Sequence, residues 1–220
     1  MRELERRFTP GLVQVRARDD RQRIGGYAAV FGRYSGNLGG FVERVDPVAF
    51  NRSAADGWPD VLARYNHDDS MLLGTTGGGT LSLTVDGTGL AYEVDPPAAR
   101  ADILELVERG DVRKSSFAFR VPPQGDDWSM TDQGFPLRTL LSVQLVDVAP
   151  VTSPAYPDST AGLRSLAEHK HVPLAEVRSL AEGGELRRLF ARTDTAGPVS
   201  TLFGPAAVAA LAARREDPYA

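Results

Sequence analysis

Period-two alternation is the clearest regular signal along the chain. Residues 80–85 (Thr80-Leu81-Ser82-Leu83-Thr84-Val85) and 90–94 (Leu90-Ala91-Tyr92-Glu93-Val94) alternate, and Asp86-Gly87-Thr88-Gly89 joins them, which predicts a β-hairpin. Shorter apolar runs predict strands at 24–31, at 41–45, at 60–66 and in a stretch opening at Ser116, and one long strand over 138–149. A further short strand is expected around Leu12, Val13 and Val15 within an otherwise charged start. Two helices are predicted by an Asp followed by Pro at the first helical position. One opens at Asp46-Pro47 and ends before Asp56-Gly57; the other opens at Asp95-Pro96-Pro97, carries Ile103, Leu104, Leu106 and Val107 on one face, and stops at Gly110. Glycines make 32–40 a loop, residues 122–136 read as a polar loop, and the three prolines of 150–157 predict an ordered turn outside any ladder. Beyond residue 163 the pattern turns to broken, helix-prone stretches at 173–192 and 205–215, the second rich in alanine. The division expected is a strand-rich domain over 1–163 and a helical or partly disordered tail over 164–220.

Composition narrows the chemistry. The 220 residues, 42% apolar, suffice for one domain and a core, and no run of about 18 apolar residues is present to span a membrane. The start, Met1-Arg2-Glu3-Leu4-Glu5, has no apolar stretch of signal-peptide type, so the expected setting is inside a cell. The absence of cysteine excludes disulfides, thiolate metal sites and a cysteine nucleophile. A net charge of -4 with mixed signs argues against nucleic acid as a partner. No cofactor is called for.

The most useful count is histidine, with three in the chain. His169 and His171 lie in a polar stretch, which leaves His67 as the candidate base of the folded part. A metal site from His67, Asp68 and Asp69 is disfavoured, because consecutive residues of a strand point to opposite faces. In Lys114-Ser115-Ser116-Phe117-Ala118-Phe119, Ser115 shares the face of the two rings; if that face is core, Ser116 looks into a cleft as the candidate nucleophile. For the acid that orients the base, Asp147 shares the apolar face of Leu141, Val143 and Leu145, where a carboxylate needs a partner. A histidine ring would serve, and so would Arg138; Asp68 and Glu43 are alternative acids. Gly77-Gly78-Gly79 lacks the Lys-Ser/Thr of a phosphate loop and reads as a turn.

An ordered set of short motifs then resembles one family. Gly26-Tyr27-Ala28-Ala29-Val30-Phe31, Phe41-Val42-Glu43 with Ala49-Phe50, Asn66-His67-Asp68, Leu73-Gly74-Thr75, Gly89-Leu90, Ser116-Phe117-Ala118-Phe119 and Val146-Asp147-Val148-Ala149-Pro150-Val151-Thr152 with Pro154-Ala155-Tyr156-Pro157 resemble, in order, the tailed-phage prohead proteases. The resemblance covers about residues 24 to 160. It implies an α+β fold similar to herpesvirus assemblin, a β-barrel flanked by helices, and a serine endopeptidase. Such an enzyme acts in the host bacterial cytoplasm inside the assembling procapsid. Its implied partners are the major capsid protein and a scaffold protein or segment, and then the enzyme itself, with self-association a further implied contact. The family's histidine falls on His67 and its serine on Ser116; the third member falls on Asp147, where many relatives carry glutamate. Ala149 and Ser115 depart from common family choices without removing a required group. Two readings compete with proteolysis: a non-catalytic scaffold-binding protein on the same fold, and another hydrolase, such as an esterase, with the same three residues.

Overall fold

A computed structural model describes residues 3–9, 13–18, 21–153 and 159–191. Twelve strands and four helices follow one another among them. In chain order they are β1 (Glu5–Thr9), β2 (Gln14–Arg18), β3 (Arg21–Val30), β4 (Val42–Val45), α1 (Asn51–Ala55), β5 (Leu62–Arg64), β6 (Leu72–Thr75), β7 (Leu81–Val85), β8 (Gly89–Val94), α2 (Ala101–Glu108), β9 (Lys114–Arg120), β10 (Asp126–Met130), β11 (Pro136–Leu140), β12 (Gln144–Val151), α3 (Thr160–Lys170) and α4 (Leu174–Glu182).

The strands form three sheets, ordered β1-β9-β12-β5-β6, β10-β11-β4 and β2-β3-β8-β7. The fold is therefore α+β and mostly strand. The expected closed barrel is not what these residues make: among the described residues each sheet keeps two edge strands. The reason lies at residues 141–143. The amides of Leu141 and Ser142 bond to the Gly125 carbonyl, and that of Val143 to the Ala49 carbonyl, so the chain leaves one sheet at β11 and enters another at β12. The long strand expected over 138–149 is thus two strands in two sheets.

The hairpin β7–β8 pairs as its alternation predicts, with Asp86 Oδ1 accepting from the amides of Thr88 and Gly89 across the turn. Gly89 is required there, because a Cβ would stand 2.0 Å from the Ala29 carbonyl of the neighbouring strand. Both Asp-Pro openings lead into helices, but later than expected. A turn precedes α1, and a 3-10 turn at Ala98–Arg100 precedes α2. Residues 122–136, expected as a loop, contain β10 and the turn into β11. That strand reads as polar because its inward residues satisfy one another: Asp126 accepts from Arg138 and Ser165, and Trp128 packs on Phe41 at 5.0 Å. Pro150 and Val151, also expected outside a ladder, belong to β12. β5 pairs only as far as Val148, so the missing N–H of Pro150 faces no strand on that side.

A main core fills the space between the sheets, including Ile24, Phe50, Leu90, Phe117, Phe119 and Val148. A second cluster joins Leu38, Phe41 and Trp128 to Leu163, Leu166, Val177 and Leu186. The change of character expected at residue 163 accordingly falls inside α3, and the chain to Phe190 forms one compact unit. Gly162 permits the docking of α3, since a Cβ there would lie 2.4 Å from the Phe41 ring. The helix-prone stretch 205–215 and the prolines at 154 and 157 lie outside the described residues.

The strand β1 is not legible in the sequence. Its buried residues are Glu5, Arg7 and Thr9, which look solvent-facing by type. They are buried because they meet partners. Arg7 donates from Nε to Glu43 Oε1 at 2.8 Å and from Nη2 to Glu5 Oε2 at 2.8 Å; Arg138 donates to Glu5 at 2.6 Å, to Glu43 at 3.0 Å and to Asp126 at 2.7 Å. Burial alone would lower the Arg138 pKa, but Glu43 and Glu5 outweigh it and hold the guanidinium charged. Arg138→Met is expected to cost about 3–5 kcal/mol, because it strands buried carboxylates with one guanidinium. Urea unfolding measures this, and a loss below about 1 kcal/mol would show that water replaces the arginine.

Candidate active site

Ser116 stands in the middle of β9, between β1 on one side and β12 on the other, paired with Phe8 and Ala149. Phe117 and Phe119 point into the core beside it, with rings 4.9 Å apart. Asp147 lies on β12, where the pairing with β9 shifts between Leu145 and Asp147. Such a bulge re-aims a side chain. Alternation from Leu141 would require one unbroken strand, so the inward aim of Asp147 comes from the bulge and the new sheet instead. His67 ends a 3-10 turn, Tyr65–His67, directly after β5. Because β5 runs parallel to β12 with Leu62 opposite Asp147, the chain leaving β5 passes over the carboxylate.

The turn holds two consecutive residues at positive φ, Asn66 at 55° and His67 at 56°. Left-handed backbone is uncommon outside glycine, though asparagine and histidine adopt it more readily than most, and it is held by its surroundings. Asn66 supplies that hold. Its Oδ1 accepts from the Thr152 amide at 3.0 Å, tying the turn to the end of β12. Sequence reasoning misses both Asn66 and Thr152 as site residues, although an asparagine directly before His67 is a signal for left-handed backbone.

The three candidate side chains meet. His67 Nε2 lies 2.6 Å from Ser116 Oγ, and His67 Nδ1 is hydrogen-bonded to Asp147 Oδ1. A carboxylate only accepts, so Nδ1 carries the proton and Nε2 is left as the acceptor facing the serine. Asp147 is 0% exposed and Ser116 1% exposed, so the contacts form away from bulk water. Among the described residues the other carboxylate oxygen of Asp147 makes no hydrogen bond; Arg64 Nη1 lies 3.5 Å from it and 2.5 Å from Asp69.

The alternatives open in the sequence are placed elsewhere. Arg138 pairs with Glu5, Glu43 and Asp126 rather than with Asp147. Glu43 is held by Arg7 and Arg138. Asp68 accepts from the hydroxyl and amide of Ser70, which hold its carboxyl below the usual range. Ser115 shares a hydrogen bond of 3.2 Å with the Tyr92 hydroxyl, and burial keeps that phenol protonated to higher pH than usual. Among the described residues no group of three or more His, Asp and Glu side chains gathers as metal ligands do. None of their helices is long and apolar enough to cross a membrane.

A hydroxyl, an imidazole and a buried carboxylate linked in this order form the arrangement of the serine hydrolases, which recurs on unrelated folds. The chain belongs to the caudovirus prohead serine protease family, whose sequence model matches residues 12–172. That membership implies a protease role in phage capsid maturation, in association with capsid components. The match contains all three side chains and α3, while β1 and α4 lie outside it. No curated protein and no solved structure matches the chain.

Proposed function

We propose that the protein is a serine endopeptidase that cuts scaffold or capsid-protein propeptide segments, and itself, during procapsid maturation. Ser116 is the nucleophile, His67 the general base and Asp147 the group that orients it. The observation that carries this reading is the continuous link from Ser116 Oγ through the His67 ring to Asp147.

In the first half of the reaction Ser116 Oγ attacks the scissile carbonyl carbon while its proton passes to His67 Nε2. The imidazolium that results is stabilised by Asp147, a buried carboxylate bonded to Nδ1. His67 then gives the proton to the leaving amine, and a water molecule, deprotonated by the same nitrogen, releases the acyl group from Ser116. The partners are the major capsid protein and the scaffold, and the setting is the interior of the procapsid in the host cytoplasm. On this reading self-cleavage falls beyond residue 190 and the self-processed tail is shorter than 164–220; what supports it is that the helices up to Phe190 share a core with the body.

A non-catalytic assembly protein has no need of a left-handed histidine backbone aimed at a serine. The test incubates recombinant protein, alone and with its own major capsid protein, and reads masses. New termini are expected in both proteins with the wild type and in neither with Ser116→Ala. Capsid protein bound but uncut by the wild type would favour the assembly role, and equal intact masses for wild type and Ser116→Ala alone would count against self-processing.

A further inference from the structure

β1 lies directly beside Ser116. It is the edge strand of its sheet and runs antiparallel to β9, with Arg7 opposite Phe117 and Phe8 opposite Ser116. Proteins commonly take extended peptides by adding them to a sheet edge in this way. Here the edge beside the serine is already taken by the chain's own strand. Phe8 remains partly exposed, whereas Ser116, on the neighbouring strand, is 1% exposed.

The contact reaches the hydroxyl itself. Ser116 Oγ has two acceptors in reach, the Arg7 carbonyl oxygen at 2.9 Å and His67 Nε2 at 2.6 Å. A serine hydroxyl has one proton. When that proton serves the Arg7 carbonyl it is withheld from the base. A carbonyl about to be attacked offers its carbon to the hydroxyl and its oxygen to hydrogen-bond donors. Arg7 offers its oxygen to the hydroxyl, so the strand occupies the nucleophile without being in position for cleavage.

The way β1 is held matches a removable element. Its buried face is Glu5, Arg7 and Thr9, with no large apolar side chain. Arg7 is fixed by Glu43 and Glu5, Glu5 by Arg138, and Thr9 Oγ1 donates to the Ala28 carbonyl at 3.0 Å. A buried ion pair holds firmly while both partners are present and fails when one is reversed. The strand also lies outside residues 12–172, the part matched to the family.

We infer that β1 is a built-in blocking strand, occupying the substrate edge of β9 at Ser116 until it is displaced. The inference rests on the reading of Ser116 as nucleophile. Displacement opens the β9 edge to an extended protein segment and frees the Ser116 proton for His67.

The test measures the labelling rate of Ser116 by a fluorophosphonate, with Ser116→Ala as the blank. In the full chain, Arg7→Glu sets a carboxylate against Glu5 and Glu43 and is expected to raise the rate at least tenfold while a cooperative thermal transition is kept. An unchanged rate in a cooperatively folded Arg7→Glu chain overturns the inference. If that variant does not melt cooperatively, a full chain with a site-specific cleavage sequence inserted after Thr9 decides. It is labelled before cutting, and again after cutting and removal of the 1–9 fragment. A tenfold rise, reversed by adding synthetic peptide 1–11, supports the blocking strand; equal rates overturn it. Absence of labelling in every form, cut or uncut, would instead remove Ser116 as nucleophile and the inference with it.

Discussion

Ser116→Ala and His67→Ala are each expected to lower the rate of capsid-protein cleavage by roughly a million-fold, close to the background left by binding alone. The two losses should be similar and should not add in the double variant, because hydroxyl and imidazole act as one unit across a contact of 2.6 Å. Ser116→Ala should stay folded with a loss of about 1–3 kcal/mol, since it removes the hydroxyl partner of the buried Arg7 carbonyl and ring nitrogen. His67→Ala also removes a residue held at positive φ. Its own destabilisation must therefore be measured beside the rate, by thermal unfolding. A residual rate within a hundredfold of wild type in either variant would move the chemistry to other residues.

Asp147→Asn is expected to lower kcat by about ten-thousand-fold with little change in KM. The amide that replaces the carboxylate can donate to His67 Nδ1, which stabilises the tautomer with its proton on Nε2, the wrong one for accepting from Ser116. It also removes the negative charge that steadies the imidazolium. Arg64 keeps Asp69 as a partner, so the substitution does not strand a lone cation. Steady-state kinetics on a peptide spanning a cut site measure the effect. A fall smaller than tenfold would assign the orienting role to a different group.

The two predictions draw on residues that are legible to different degrees. His67 stands out by scarcity, and Ser116 by its place on a strand opposite a pair of rings. Both are local properties of composition and period. Asp147 stands out for a partly wrong reason. The face assigned to it depends on an unbroken strand from Leu141, whereas the chain changes sheets at 141–143 and bulges before Asp147. The sequence leaves its partner open between a histidine and Arg138; laying β5 parallel to β12 brings His67 and Arg64 to it, while Arg138 pairs with Asp126, Glu5 and Glu43. Arg64 escapes notice for the same reason, and Asn66 and Thr152, though within the matched motifs, show no role until they meet. Each acts through a contact between segments far apart in the chain.

The strands β1 and β10 fail to show for a related physical reason. Hydropathy reads a charged or polar residue as exposed. Glu5, Arg7, Asp126 and Arg138 are buried in one another's company, and that pairing offsets the desolvation that would otherwise forbid it. Pattern methods see single residues, while the energy belongs to the group.

From its order of residues alone, this protein had a hairpin at 80–94, two Asp-Pro helix starts, a cysteine-free chemistry and a shortlist of one histidine and two serines. Only the folded arrangement decided which serine meets the histidine, which carboxylate stands behind it, and that a charged strand lies against that serine. Local propensity and periodicity act over a few residues, whereas a site of this kind is made by the crossing of strands whose positions are set by the whole chain.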